Sequence, residues 1–326
     1  MRDFFELKTT ELAEWLLSEN KASFHADQIF QWVYSKGVRD WEEMTNLPQD
    51  LRALLAKTYK LDWLVSDQIQ QSPVDATIKF AWRLHDDSVV NSILVGKELQ
   101  LTTQVGCPGK CKFCASGKKF VRNLRLGEML DQVLRLRDKR SIPKIRFTGM
   151  GEPFKNPTAV LALLERLQKW YDSDSIELST IGIIDGITQL MERRLAVRLS
   201  VGIHAPNQRL RTKLVPYAAK NPLVRLIELL EEYSKRFGQA ITLDYVLLEG
   251  TNDHPDHAFE LANLIRRLRC RVRLIPYNAV PGFSWKRPSN KAIKEFRTVL
   301  YGNKIPHVVE EAKGFDIRAA LGQLGL

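Results

Sequence analysis

The sequence predicts an α/β fold: a small helical region, then a β connection, then a larger core of alternating strands and helices. Three observations carry this. Apolar residues recur at helical spacing within residues 1–75, at a spacing of two over 76–98, and in repeated strand–helix units over 99–326. Strands that alternate with helices imply a parallel sheet with right-handed crossovers. About six such strands are expected, so a partial barrel and an open sheet both fit. Either architecture puts chemistry at the C-terminal ends of the strands.

The elements follow in order. TTELAEWLLSEN starts at Thr9 or Thr10 as N-cap and presents Leu12, Trp15 and Leu16 on one face. FHADQIFQWVYSKG is a second amphipathic helix, with Ile29, Phe30, Trp32 and Val33 apolar and Gly37 as its stop. Asn46-Leu47-Pro48 opens a third, with proline at the helix start. TIKFAWRL and SVVNSILV then read as a hairpin, and ELQLTTQVG as the first core strand. Later strands are expected at 144–151, 175–182, 196–203, 240–250 and 270–278, with helices at 127–139, 157–170, 222–236, 254–268 and 289–301.

Composition narrows the class. At 326 residues, with 44% hydrophobic and 27% charged, the chain is neither disordered nor fibrous. It has no apolar run near the roughly 20 residues that cross a bilayer. The opening MRDFFELKTTELAEWLL carries early acids and no apolar signal core, so a cytoplasmic protein is expected. Lys and Arg number 49 against 38 Asp and Glu, a net charge of +11 that suits a nucleic-acid partner but also a generally basic enzyme. A monomer is expected.

The strand ends hold the distinctive residues. The first core strand runs into Cys107, Cys111 and Cys114, spaced C-x3-C-x2-C. Three thiolates from one tight loop can reach one soft metal centre. Structural zinc wants a fourth protein ligand, and neither Cys nor His lies nearby. A 4Fe-4S cluster on three cysteines keeps one iron open. The second strand ends in Thr148-Gly149-Met150-Gly151-Glu152-Pro153, where glycines permit close backbone approach and a carboxylate can receive an ammonium group. Ser179, then Gly202-Ile203-His204, then Asn278 end later strands and would converge on the same rim.

The cysteine spacing, with Phe113 before the third cysteine, resembles the radical S-adenosylmethionine (SAM) superfamily. The resemblance implies a partial (β/α)6 barrel, a 4Fe-4S cluster whose open iron takes the amino and carboxylate groups of SAM, and a 5′-deoxyadenosyl radical. Phe113 would pack near the adenine, and Gly151 and Glu152 would hold the methionine amino group. FHADQIFQWVY, QVGCPGKCKFCASGKKFVRNLR, RFTGMGEPFKN, ELSTIG, HAPNQRLR, LIPYNAVPG and GFDIRAALGQL narrow the likeness to the RlmN/Cfr family of RNA adenine methyltransferases, across essentially the whole chain. That likeness implies SAM contacts at Gly151, Glu152, Ser179, Gly202, Ile203, His204 and Asn278, although the family usually has serine where Gly202 stands. It also implies an rRNA or tRNA substrate read partly by residues 1–75, and an electron donor of the flavodoxin or ferredoxin type. Lys118, Lys119, Arg122, Asn123 and Arg125 would suit RNA phosphates, or form a solvated basic helix start.

Three departures follow from the same likeness. The family carries its methyl group on a cysteine in a C-terminal AACGQL segment, and here that position is Leu321. A second cysteine resolves the adduct, and seven residues before Cys107 stands Gln100. A family glutamate aligns with Asn91. Cys270 is no substitute, because it lies roughly 26 Å from the functional end of its strand at about 3.3 Å per residue. Three readings therefore stand: an RNA methyltransferase with an altered methyl route, a radical SAM enzyme with another hydrogen-abstraction reaction, and a non-catalytic RNA-binding homologue.

Overall fold

A computed structural model describes residues 1–137 and 141–325. Ten strands form one mixed sheet: β1 (Val65–Gln71), β2 (Ile78–Arg83), β3 (Val89–Val95), β4 (Glu98–Gln100), β5 (Lys144–Phe147), β6 (Ile176–Thr180), β7 (Arg198–Gly202), β8 (Ile241–Leu247), β9 (Cys270–Pro276) and β10 (His307–Val309). Their spatial order is their chain order. Strands β1 to β4 pair antiparallel as a meander, and β4 to β10 pair parallel. The first and last strands do not pair, so the curved sheet stays open as a partial barrel.

The expected six parallel strands are β4 to β9, and β10 is a seventh that three residues were too short to announce. The first core strand is shorter than ELQLTTQVG suggested. It breaks after Gln100, and Gln104–Gly106 leaves the sheet to pair antiparallel with Phe120–Asn123. The break lets the chain fold the cysteine loop over the end of the sheet.

Ten α-helices accompany the sheet among the described residues: α1 (Thr9–Ser18), α2 (His25–Phe30), α3 (Gln49–Thr58), α4 (Leu126–Arg137), α5 (Pro157–Leu167), α6 (Ile184–Glu192), α7 (Gln208–Leu214), α8 (Leu223–Phe237), α9 (Pro255–Ile265) and α10 (Asn290–Gly302). The helix expected over 127–139 is α4; Asp138 and Lys139 lie outside the described residues. Thr9 is inside α1 rather than its cap. Lys8 is the cap, because Glu11 reaches back to accept its backbone N–H at 2.7 Å. Helix α2 continues into a π-helical turn, Gln31–Ser35, which re-aims Val33 inward. The helical region ends before 75, because β1 lies inside that span and pairs with β2.

One continuous apolar core runs from Phe4, Leu12 and Trp41 through Leu99, Phe147 and Leu178 to Leu274 and Phe296. The helical unit is therefore welded to the barrel. The concave face of the sheet is polar instead. Arg146 on β5, Glu177 on β6, Asp244 on β8 and Arg273 on β9 are all buried. Arg273 donates to Asp244 at 2.6 Å and to Glu177 at 2.7 Å, and Arg146 lies 3.0 Å from Glu177. Alternation at period two sends these charges to the interior face while their neighbours pack against helices. Among the described residues, no helix is long and apolar enough to cross a membrane.

Candidate active site

The parallel strands end around one cavity of about 170 Å³. Its wall includes Cys107, Cys111, Phe113 and Cys114 from the loop after β4, Thr148, Gly149, Gly151 and Glu152 after β5, and Ser179 and Thr180 of β6. Gly202 and His204 at the end of β7, Tyr277 and Asn278 after β9, and Leu321 also line it. Residues far apart in sequence meet here because each parallel strand ends on the same rim.

Cysteine loop and helix α7 are joined: Lys112 N–H donates to Leu214 O at 2.9 Å. The C-terminal segment closes the loop from the other side. Ala115 N–H donates to Gly322 O at 2.8 Å, Ser116 Oγ to Leu324 O at 2.6 Å, and Asn278 Nδ2 to Leu321 O at 3.1 Å. Burial pushes the Cys107 thiol up to about 12 and raises those of Cys111 and Cys114. As free thiols they keep their protons at neutral pH, so only a bound metal centre makes them thiolates. Among the described residues, no three His, Cys, Asp or Glu side chains crowd as tightly as a single ion needs. The three thiols share the cavity wall instead, and a four-iron cube holds its thiolates farther apart than one tetrahedral zinc does.

Gly149 and Gly151 are needed by the protein itself. A Cβ at Gly151, where φ is +111°, would lie 2.6 Å from Thr103 Oγ1, and one at Gly149 would lie 2.7 Å from Leu101 O. They let the loop after β5 press against Leu101–Gln104. That loop aims Glu152, which is buried and accepts from Thr180 Oγ1 at 2.7 Å, Ile181 N at 2.7 Å and Phe154 N at 3.1 Å. Burial outweighs those donors and raises its carboxyl to about 7. An ammonium group beside it would restore the charged form. Ser179 Oγ and Thr148 Oγ1 are buried with no protein partner, and both residues line the cavity.

His204 is held in the left-handed region at φ +52°, and its ring meets Phe113 edge to face at 4.9 Å. Val246 N–H donates to its Nδ1 at 3.1 Å, so the neutral ring carries its proton on Nε2. Burial lowers its pKa to about 4, which keeps the ring neutral. The ring leans over Gly202, where a Cβ would stand 2.5 Å from Nε2.

Other expected residues fall elsewhere. Ile203 is not in the wall; its side chain is in the core, and its N–H donates to Asp244 O at 2.9 Å. Gln100 borders an adjoining cavity, together with Glu98, Arg146, Glu310 and Leu321. Asn91 lies in a third groove with Lys79, Lys118, Lys119 and Met150. Arg122 is not free for phosphate, because it is clamped by Glu128 at 2.8 Å and Asp86 at 2.6 Å. The segment read as a basic helix start is a strand, Phe120–Asn123. Cys270 starts β9, at the end remote from the cavity, where burial raises its thiol to about 12. Sequence reasoning put Thr148 and Thr180 at the strand ends without giving them a role, and missed Arg146 and Asp244 as wall residues. Charged residues recurring at strand positions were the signal for the last two.

The chain matches two family descriptions: "Ribosomal RNA large subunit methyltransferase N-terminal domain" over residues 2–61 and "Radical SAM superfamily" over residues 101–262. It is 44% identical to "Probable dual-specificity RNA methyltransferase RlmN 2" of Protochlamydia amoebophila, across 99% of this chain and 94% of that protein. It is 36% identical to "Probable dual-specificity RNA methyltransferase RlmN" of Thermotoga maritima, across 100% and 98%. Its fold is similar to the crystal structure of a radical SAM methyltransferase from Sphaerobacter thermophilus, with a TM-score of 0.94, 36% identity and 99% of each chain covered.

Proposed function

The chain belongs to the RlmN family of radical SAM RNA methyltransferases, and we propose that it cleaves SAM and acts on RNA without that family's cysteine-borne methyl group. Its cofactors are a 4Fe-4S cluster and SAM. One observation carries the site assignment: Cys107, Cys111, Cys114 and Glu152 border a single cavity that also holds the unpartnered hydroxyls of Ser179 and Thr148.

When bound, the cluster and SAM would supply one-electron radical chemistry. The three cysteines hold the cluster. Glu152, fixed by its three donors, receives the amino group. Ser179 and Thr148 satisfy further polar atoms, since buried hydroxyls are rarely left unpaired. Phe113, His204, Gly202 and Asn278 complete the SAM wall, and Gly151 brings the chain close to it. Ile203 contributes only through its backbone.

Leu321 and Gln100 border one chamber beside this cavity, which supports their reading as the family's carrier and resolving positions. Both roles need a thiolate nucleophile. A hydrocarbon and a carboxamide provide none, and Asn91 offers no base. RNA is the substrate class; the donor of the electron is a flavodoxin-type or ferredoxin-type protein of the cytoplasm, and the protein works as a monomer. Anaerobic reconstitution tests the site. The wild-type protein should take up about four irons and four sulfides, as a cluster of this ligation requires. Any one Cys→Ala change among the three should abolish the visible absorption, whereas one zinc with no iron uptake would overturn the reading.

A further inference from the structure

Behind the cysteine loop lies a buried cation that the SAM reading does not use. Arg211, in α7, is fully buried. Its Nη1 donates to Asn221 O at 3.0 Å and its Nη2 to Ile181 O at 2.7 Å, while Nε has no partner. No carboxylate stands within ion-pair distance of it among the described residues. A buried guanidinium is normally paired, because removing charge from water is costly. The other buried arginines here follow that rule: Arg146 and Arg273 sit among Glu177, Asp244 and Glu310.

What surrounds Arg211 explains the exception. The residue three positions on, Leu214, receives the N–H of Lys112 inside the cysteine loop. Ile181, whose carbonyl Arg211 holds, packs against the loop at Gly109 and gives its N–H to Glu152. Cys111, Cys114, Ile181, Leu210 and Leu214 share one apolar cluster. Burial lowers the pKa of Arg211 to about 10, and Cys111 is the group whose negative charge would raise it again. Arg211 does not border the cavity, so it can act only through its field and its grip on Ile181.

We infer that Arg211 is a positioning residue that supplies the counter-charge for the three-cysteine centre and favours that centre's reduced, more negative state. This rests on the reading of Cys107, Cys111 and Cys114 as cluster ligands. Net charge and nearby polar groups set the potential of iron–sulfur centres. The reaction concerned is a one-electron reduction of the cluster by an external donor, with no proton transferred. A fixed cation lowers the energy of the product more than that of the reactant, because the product carries one more negative charge.

The test is a redox titration of the cluster-loaded protein with dithionite and mediators, followed by electron paramagnetic resonance. Arg211→Met should shift the equilibrium at least tenfold toward the oxidised form, a fall in midpoint potential of at least 59 mV for a one-electron couple. Arg211→Lys, which keeps the charge, should retain most of the wild-type potential. Should Arg211→Met not load, Arg211→Gln carries the comparison against Arg211→Lys, and iron and sulfide analysis shows that both hold the cluster. Equal potentials for the charged and neutral variants would overturn the inference. Absence of a cluster in the wild-type protein would instead overturn the site reading beneath it.

Discussion

At Gly202 the backbone leaves room for the imidazole of His204 and for nothing more, since a Cβ would stand 2.5 Å from Nε2. A serine at this position, as the family resemblance implies, and the ring in its present place cannot coexist. Gly202→Ser should cost about 1–3 kcal/mol through overpacking and should weaken SAM binding. A chemical melt and calorimetry with SAM would check both, and an unchanged melt would contradict the packing account. His204 also gives a pH dependence. Its folded pKa of about 4 lies below the ordinary 6.5 because burial disfavours the charged ring. The unfolded chain therefore binds a proton between those values that the native protein does not. The stabilisation is fully present above pH 6.5 and is lost as pH falls toward 4, on the order of 3 kcal/mol in all. His204→Gln should flatten the stability curve in that window by about one proton; an unaltered slope would show that the ring is not buried neutral.

Along the elements, the parallel sheet was legible from alternation, and so was its functional rim. The three cysteines were legible because they fall within eight residues, and Glu152 because it follows a strand closely. What escaped was whatever depends on a neighbour outside the local pattern. Gln100 ends β4 early because the chain must turn to bring Gln104–Gly106 against Phe120–Asn123. Arg122 looked free because Asp86 and Glu128, which clamp it, sit on other elements. Helices α6 and α7 are too short to show a clear helical period, although α7 holds the cysteine loop. The charged stripe inside the sheet was hidden because each member is one residue in a strand. Glu177 is its hub, with Arg146 at 3.0 Å, Arg273 at 2.7 Å and Arg198 at 3.1 Å. Glu177→Ala removes the carboxylate shared by all three and leaves Arg146 and Arg273 only Glu310 and Asp244 as partners, so it should destabilise the protein by about 3 kcal/mol. Denaturant unfolding would check it, and a loss below about 1 kcal/mol would mean that water reaches the network.

Across the whole molecule, charge is unevenly divided. Residues 1–64 carry 11 Asp and Glu against 8 Lys and Arg, so the excess of +11 lies entirely in the sheet extension and barrel. The expectation that the helical unit reads RNA through its charge therefore shifts to the groove between the extension and the cysteine loop, where Lys79, Lys118 and Lys119 gather. Lys79→Glu combined with Lys119→Glu should weaken RNA binding across sequences and reduce the slope of log K against log salt by about one per residue. An unchanged slope would place the contact elsewhere. The N-terminal unit shares its apolar core with the barrel. On the proposed reading, Cys107, Cys111 and Cys114 hold the radical-generating site while Leu321 and Gln100 stand in the chamber beside it. The most direct measurement is mass spectrometry of RNA and small molecules after the reduced, cluster-loaded wild-type protein has met methyl-labelled SAM and total RNA. The account predicts 5′-deoxyadenosine with no 2-methyladenine or 8-methyladenine and no methylated cysteine; labelled methyladenine made by the wild-type protein would contradict it.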